Sequence, residues 1–272
     1  MTKNPESWTG NVIISGLTAA GKTTHSHILS GEFGLQYVSS SQLLLSLLGM
    51  RPFQPRDFWL TSEANLLWQT SQAGIVDDEL IRLETASTLL IFDTLAMPWL
   101  HRCLAFCIWL ESSLESRVMK AVVSHRERGR FSIEEIKRRI QQKDDLARIH
   151  FEQRYGFDLF SDRSPFDMIL DISSCISEPT LRASLQSISQ VHNLLRPAVG
   201  WYLTRDPSFK YQFQEARVSS PNLVARCPDS LLDPEQAITP LALSSSYPEA
   251  SITMNRSVQL DASQIADLSA TC

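Results

Sequence analysis

The run Gly16-Leu17-Thr18-Ala19-Ala20-Gly21-Lys22-Thr23 fits the phosphate-loop pattern G-x-x-x-x-G-K-[ST] at every fixed position. Each fixed residue type has a mechanical reason. Gly16 and Gly21 let the backbone turn so that N–H groups along Leu17, Thr18, Ala19 and Ala20 converge on an anion, and the following helix adds its positive end. Lys22 is placed to reach the β- and γ-phosphates, Thr23 to offer its hydroxyl to Mg²⁺, and Thr24 to lend a second hydroxyl. The flanking sequence agrees with this reading. Asn11-Val12-Ile13-Ile14-Ser15 reads as a short buried strand, and His25 to Leu29 continues as a helix. The expected ligand is a nucleoside triphosphate, ATP, with Mg²⁺.

Further along, short apolar runs alternate with longer helical segments. Leu35-Gln36-Tyr37-Val38 reads as a second strand and ends in Ser39-Ser40-Ser41-Gln42, a serine run suited to capping the helix at Leu43 to Leu48. After Gly49, Pro52 and Pro55 the segments Phe58 to Leu67 and Val76 to Leu89 read as helices. Leu89-Leu90-Ile91-Phe92 is a third strand closed by Asp93. An acidic residue at that place either helps Thr23 hold Mg²⁺ or serves as a turn or cap residue. Ala105 to Leu110 and Met168-Ile169-Leu170-Asp171 supply the fourth and fifth strands. The alternation predicts an α/β phosphate-loop NTPase fold, a five-stranded parallel sheet flanked by helices. Its ligands collect at the carboxyl ends of the strands, where Gly16, Ser39 and Asp93 fall.

Between the last two strands lies a basic segment: Arg117, the stretch His125-Arg126-Glu127-Arg128-Gly129-Arg130, then Lys137-Arg138-Arg139, Lys143, Arg148 and Arg154. Ser132-Ile133-Glu134-Glu135 fits a capping box opening a helix. Such a helix either presents a solvated face, balanced by Glu134, Glu135, Asp144 and Asp145, or forms a lid that brings cations onto phosphates. The lid is the reading taken here, over about residues 126–145. Thr180 to Leu195 reads as a closing helix, and Pro197 with Gly200 marks a boundary. The expected organisation is a phosphate-loop domain over 1–199 and a partly ordered extension over 200–272, rich in proline and serine after Val218.

The chain has 272 residues, 43% of them hydrophobic, and a formal charge of −5. That balance argues against a protein whose main task is gripping nucleic acid. No apolar run is long enough to span a bilayer and Met1 to Thr9 lacks the features of a signal peptide, so the expectation is a cytoplasmic protein with no membrane partner. Five cysteines, Cys103, Cys107, Cys175, Cys227 and Cys272, show no paired C-x-x-C spacing, which favours reduced thiols over a disulfide framework or a zinc site.

Taken together, the loop at Gly16 to Thr23, the stretch Tyr37-Val38-Ser39-Ser40-Ser41-Gln42, Glu115-Ser116-Arg117, Tyr155-Gly156-Phe157-Asp158 and Phe166-Asp167-Met168-Ile169-Leu170-Asp171 resemble the nucleoside monophosphate kinases. The likeness is to the cytidylate kinases of the compact archaeal type and covers about residues 11 to 195. It implies an acceptor-binding insertion at about 51–84, nucleotide contact by Arg117, and a nucleotide-like small-molecule acceptor such as CMP. Two departures stand out. Leu45 occupies a position where that family has an arginine for the acceptor phosphate, and Asp93-Thr94 stands where it has a Gly-Arg pair. Arg51, Arg56 and Arg102 are the nearby cations that would have to compensate.

The expected chemistry is phosphoryl transfer from ATP·Mg²⁺. Lys22, Arg138 and Arg139 would neutralise charge on the moving group, and Thr23 with Asp93 would hold the ion. If Asp93 acts instead as a base, the acceptor is a hydroxyl of a small molecule or nucleoside. The third alternative is a nucleotide-binding regulatory protein without transfer activity.

Overall fold

In the computed structural model the described residues are 10–50, 72–125 and 131–232. The expected helix over Phe58 to Leu67, Arg51, Arg56, the first residues of the expected lid and Cys272 lie outside them. The elements in chain order are β1 (Asn11–Ser15), α1 (Lys22–Phe33), β2 (Gln36–Ser39), α2 (Ser40–Leu47), α3 (Gln72–Ala86), β3 (Leu90–Asp93), α4 (Met97–Leu100), β4 (Ala105–Glu111), α5 (Leu114–His125), α6 (Ile133–Tyr155), β5 (Met168–Asp171), α7 (Leu181–Thr204), α8 (Pro207–Ser219), β6 (Val224–Arg226) and α9 (Asp229–Leu232).

The strands form one sheet in the order β2-β3-β1-β4-β5-β6. The first five are parallel, and β1 sits in the middle, with Ile13 opposite Phe92 on one side and Cys107 on the other. Their sequences are apolar almost without interruption because both faces are covered. Val12, Ile14, Phe106, Ile108 and Leu110 pack with Leu29 of α1 and Val191, Leu194 and Leu195 of α7. Ile13, Phe92, Cys107 and Trp109 face the other layer, with Leu44 of α2 and Val76 and Leu80 of α3. The period of two along each strand thus divides one apolar run between two cores.

The sheet has six strands, not the five expected. β6 joins β5 antiparallel, with Ile169 opposite Arg226 and Leu170 opposite Val224. It comes from the segment expected to be an extension. The closing helix also runs further than the sequence suggested: α7 passes through both Pro197 and Gly200 and stops at Thr204. A proline inside a helix costs about 3 kcal/mol, yet Leu194, Leu195, Ala198, Val199, Tyr202 and Leu203 around it are all buried. Burying an aliphatic or aromatic side chain contributes about 1.5–3 kcal/mol each, so burial outweighs the break. Gly200 serves a contact here: a Cβ on it would fall 2.6 Å from the Phe209 ring of α8. Phe213, Leu223 and Leu231 then join the core of the α1 face. Residues 200–232 are therefore packed onto the sheet, and 233–272 lie outside the described residues.

Cys103, Cys107, Cys175 and Cys227 are free thiols, and Cys107 is buried in the sheet. No helix among the described residues is long and apolar enough to cross a membrane.

Candidate active site

The loop from Gly16 to Gly21 connects the carboxyl end of β1 to α1, as the pattern requires. Gly16 has φ +152°, and a Cβ there would lie 2.7 Å from the Leu110 carbonyl oxygen, so β4 leaves room only for glycine. Ala19 takes the left-handed region at φ 64°, a conformation that costs a side-chain-bearing residue roughly 1–2 kcal/mol and marks a backbone held in shape by its surroundings. Gly21 caps α1 with no side-chain bond to its free N–H groups and no acid in its first turn. The positive end of the helix is thereby left for an anionic ligand.

Lys22 holds its ammonium against the loop, donating to the carbonyls of Gly16 at 2.7 Å and Leu17 at 3.2 Å. Burial lowers its pKa, Asp93 and Asp144 oppose that, and Arg117 adds to it. Thr23 donates its hydroxyl to Oδ2 of Asp93 at 2.6 Å. Asp93 ends β3 next to β1, so its carboxylate arrives beside the first turn of α1 from a neighbouring strand. The pair is a set of hard oxygen donors, which suits Mg²⁺. Among the described residues there is no group of three or more His, Cys, Asp or Glu placed to hold a metal. An ion binding here would thus take the rest of its coordination from phosphate and water, as Mg²⁺ commonly does. Thr24 lies exposed in the first turn of α1.

The basic segment reaches the loop through residues other than the arginines singled out from sequence. Arg138 is exposed and pairs with Glu135 at 2.8 Å, and Arg139 pairs with the same carboxylate at 2.5 Å while covering the Phe131 ring. One turn on, Asp144 of α6 accepts from the Thr18 N–H at 3.0 Å and forms a buried ion pair with Arg117. Arg117 in turn donates to the Thr18 carbonyl at 3.1 Å and to that of Ser112 at 3.2 Å. Arg117 is therefore set against the loop backbone, where it and Asp144 brace Thr18 through its carbonyl and its N–H. Lys143 precedes Asp144 on α6, and burial with the charge of Lys22 lowers its pKa against Asp144 and Asp93. Lys120 of α5 adds another cation, 3.1 Å from Ser112 Oγ and 3.5 Å from the Ala20 carbonyl.

Lys143, Asp144 and Tyr37 are the residues that sequence reading did not assign to the site. For Asp144 the available signal was helical spacing: Ile136, Ile140 and Asp144 repeat every four residues, and all three are buried. A buried acid in line with two core isoleucines needs a partner. On the acceptor side, Leu45 is fully buried in α2. Arg102 precedes β4 at the amino ends of the strands, with its N–H on Glu84 at 2.9 Å. It lies at the opposite end of the sheet from the loop and does not replace the arginines missing at Leu45 and Thr94.

No protein-family model matches the chain. Among known proteins it is 28% identical over 181 residues to the cytidylate kinase of Pyrobaculum islandicum, covering 66% of this chain and 93% of that protein. It is 27% identical over 175 residues to that of Pyrobaculum aerophilum, covering 64% and 90%. For that of Sulfurisphaera tokodaii the figures are 27% over 163 residues, 59% and 84%. The chain resembles the archaeal-type cytidylate kinases, of the nucleoside monophosphate kinase family. Among solved structures, a shikimate kinase from Acinetobacter baumannii overlaps 71% of the chain and 99% of its own, with a TM-score of 0.41 and 15% identity. In this cytidylate-kinase-like chain the phosphate loop, the carboxyl ends of β1 and β3 and the braced helix α6 make one site.

Burial pushes the Lys143 ammonium down to about 8, with Lys22 adding repulsion and Asp144 and Asp93 opposing. A lysine is charged below its pKa and neutral above it, so the site loses positive charge as pH rises through about 8. The expected result is a fall in kcat/KM for ATP above that pH, since kcat/KM reports the free enzyme. Lys143→Arg, whose guanidinium stays charged, should make the fall shallower. An unchanged profile in that variant would assign the fall to Lys120, which burial also pushes down to about 8.

Proposed function

We propose that this ATP-dependent kinase, of the nucleoside monophosphate type, acts on CMP or a related pyrimidine nucleotide. The observation that carries phosphoryl transfer is the meeting of Lys22, held on the loop carbonyls, with the Thr23 and Asp93 pair at the first turn of α1. The acceptor class rests on the likeness to the cytidylate kinases. Loop N–H groups and the α1 terminus bind the donor phosphates, and Lys22 meets the charge that develops between β- and γ-phosphate. Thr23 and Asp93 would hold Mg²⁺, which would supply further charge neutralisation there. Lys143 supplies a cation from the α6 side, while Arg138 and Arg139 on the same helix are held on Glu135. A monophosphate oxygen is already anionic, so attack needs no strong base and the protein's contribution is position and charge.

A second reading is favoured by two observations: Leu45 is wholly buried where a phosphate-holding cation would stand, and the Asp93 carboxylate lies beside Thr23 at the first turn of α1. On that reading Asp93 takes the proton from a hydroxyl acceptor. Labelled ATP with a panel of nucleoside monophosphates, nucleosides and simple alcohols separates the two. Transfer to CMP or a close pyrimidine relative supports the first reading. Transfer only to neutral hydroxyls overturns it, and tight ATP binding with no transfer to any acceptor favours a regulatory protein.

A further inference from the structure

Asp93 Oδ2 receives two hydrogen bonds. Thr23 donates one, and the Tyr37 hydroxyl donates the other at 2.9 Å, a bond buried within the fold. Sheet register explains how Tyr37 reaches it. Ser39 of β2 lies opposite Asp93, and Tyr37, two residues earlier and therefore on the same face of β2, is opposite Ile91. Its ring extends along the strand direction toward the carboxyl end. The ring itself is fixed: it lies on the His27 imidazole of α1, with centroids 3.9 Å apart and planes at 30°. Tyr37 and Asp93 are 4% and 6% exposed, so water does not compete for this bond.

From this geometry we infer that Tyr37 is a positioning residue for the cation site, acting through Asp93. The inference rests on the reading that Thr23 and Asp93 hold Mg²⁺. Two donors on one oxygen fix the carboxylate's rotation, and neither of them bonds Oδ1. Thr23 keeps its proton on Asp93, which leaves the lone pairs of its hydroxyl oxygen for a cation. Without Tyr37 the carboxylate would hang on Thr23 alone, and the hydroxyl and carboxylate would turn together. Partners of this kind, which orient a ligand without touching the metal, typically contribute 10- to 100-fold in metal affinity. His27 contributes by holding the ring, so the arrangement links α1, β2 and β3 around one carboxylate.

The test is Mn²⁺ binding, read as free Mn²⁺ by electron paramagnetic resonance in the presence of ADP, with wild-type protein, Tyr37→Phe, Asp93→Asn and the double variant. Phenylalanine keeps the ring on His27 and removes only the hydroxyl, and thermal melts record whether each variant is folded. We expect Tyr37→Phe to weaken Mn²⁺ binding by on the order of tenfold, Asp93→Asn to weaken it at least as much, and the double variant to lose nothing beyond Asp93→Asn. Metal-free ADP affinity should be unchanged in Tyr37→Phe, an outcome that general damage to the fold would not give. Wild-type Mn²⁺ binding in Tyr37→Phe alongside weak binding in Asp93→Asn overturns the role of Tyr37 and leaves the metal reading standing. Wild-type binding in Asp93→Asn overturns the metal reading and the inference with it. Full additivity in the double variant overturns the route through Asp93. Should Tyr37→Phe fail to fold, His27→Leu reads the same geometry: unchanged Mn²⁺ binding there overturns the arrangement, and weakened binding supports it.

Discussion

Lys22→Ala is expected to lower turnover on the order of a hundredfold or more while leaving the fold intact. An ammonium set against the β- and γ-phosphates stabilises charge that grows in the transition state, so its loss falls on the rate more than on binding. The structure adds a reason for the fold to survive. The bonds of Lys22 are to carbonyls of its own loop, at Gly16 and Leu17. Circular dichroism of the purified variant, followed by ATP turnover with the best acceptor, checks both halves. A folded variant with near-normal turnover would remove Gly16 to Thr23 from the chemistry, and the catalytic reading would have to restart from Lys143 and its neighbours.

Asp144→Ala is expected to be the most destabilising single change at the site. The Arg117 and Asp144 side chains are 6% and 4% exposed, so deleting the carboxylate leaves a guanidinium buried without its counter-charge. Breaking a buried pair from one side costs roughly 3–5 kcal/mol, well above a typical surface substitution. The Thr18 N–H loses its acceptor at the same time, so the phosphate loop loosens with the helix that braces it. Denaturant unfolding of wild type and variant measures the loss. The double variant Arg117→Met with Asp144→Leu should recover most of the stability, because replacing both charges by apolar groups removes the uncompensated one. It should not recover ATP affinity, since Thr18 is still without its brace. A loss below about 1 kcal/mol in Asp144→Ala would place this pair with exposed ion pairs, and the bracing of the loop would fall with it.

These two predictions differ in how much of them the sequence carries. Lys22 is legible because glycine, lysine and threonine at fixed spacing describe one local structure, a turn feeding a helix, and the anion site follows from local backbone geometry. Asp144 is legible only as one of several acids balancing a basic segment. Its pairing with Arg117, and the N–H it takes from Thr18 across 126 positions of the chain, exist only once α6 has packed beside the loop. The same holds for Lys143: sequence gave no reason to choose it over Arg138 or Arg139, which fold back onto Glu135. Rotation about the helix decides which of its side chains turn toward the loop, and the anchor for that rotation is the buried line of Ile136, Ile140 and Asp144.

The amino-acid order by itself determined the five parallel strands, since each is a short apolar run between turn signals, and the place of the phosphate loop on the first of them. It also carried the cap at Ser132, whose hydroxyl accepts from the Glu135 N–H at 3.2 Å. Tertiary structure decided the edge of the sheet and the end of α7. Val224–Arg226 is too short to read as a strand and becomes one only by bonding to β5, while Pro197 and Gly200 stop being helix breakers once the surrounding apolar side chains are buried and Phe209 needs the space over Gly200. Tertiary structure also decided which side chains meet Asp93. A carboxylate at a strand end has several uses, and here β2 and α1 bring Tyr37 and Thr23 to one of its oxygens from 56 and 70 positions away. Local propensities act over a turn or a strand, whereas a buried charge takes its partner from whatever the packed layers place beside it.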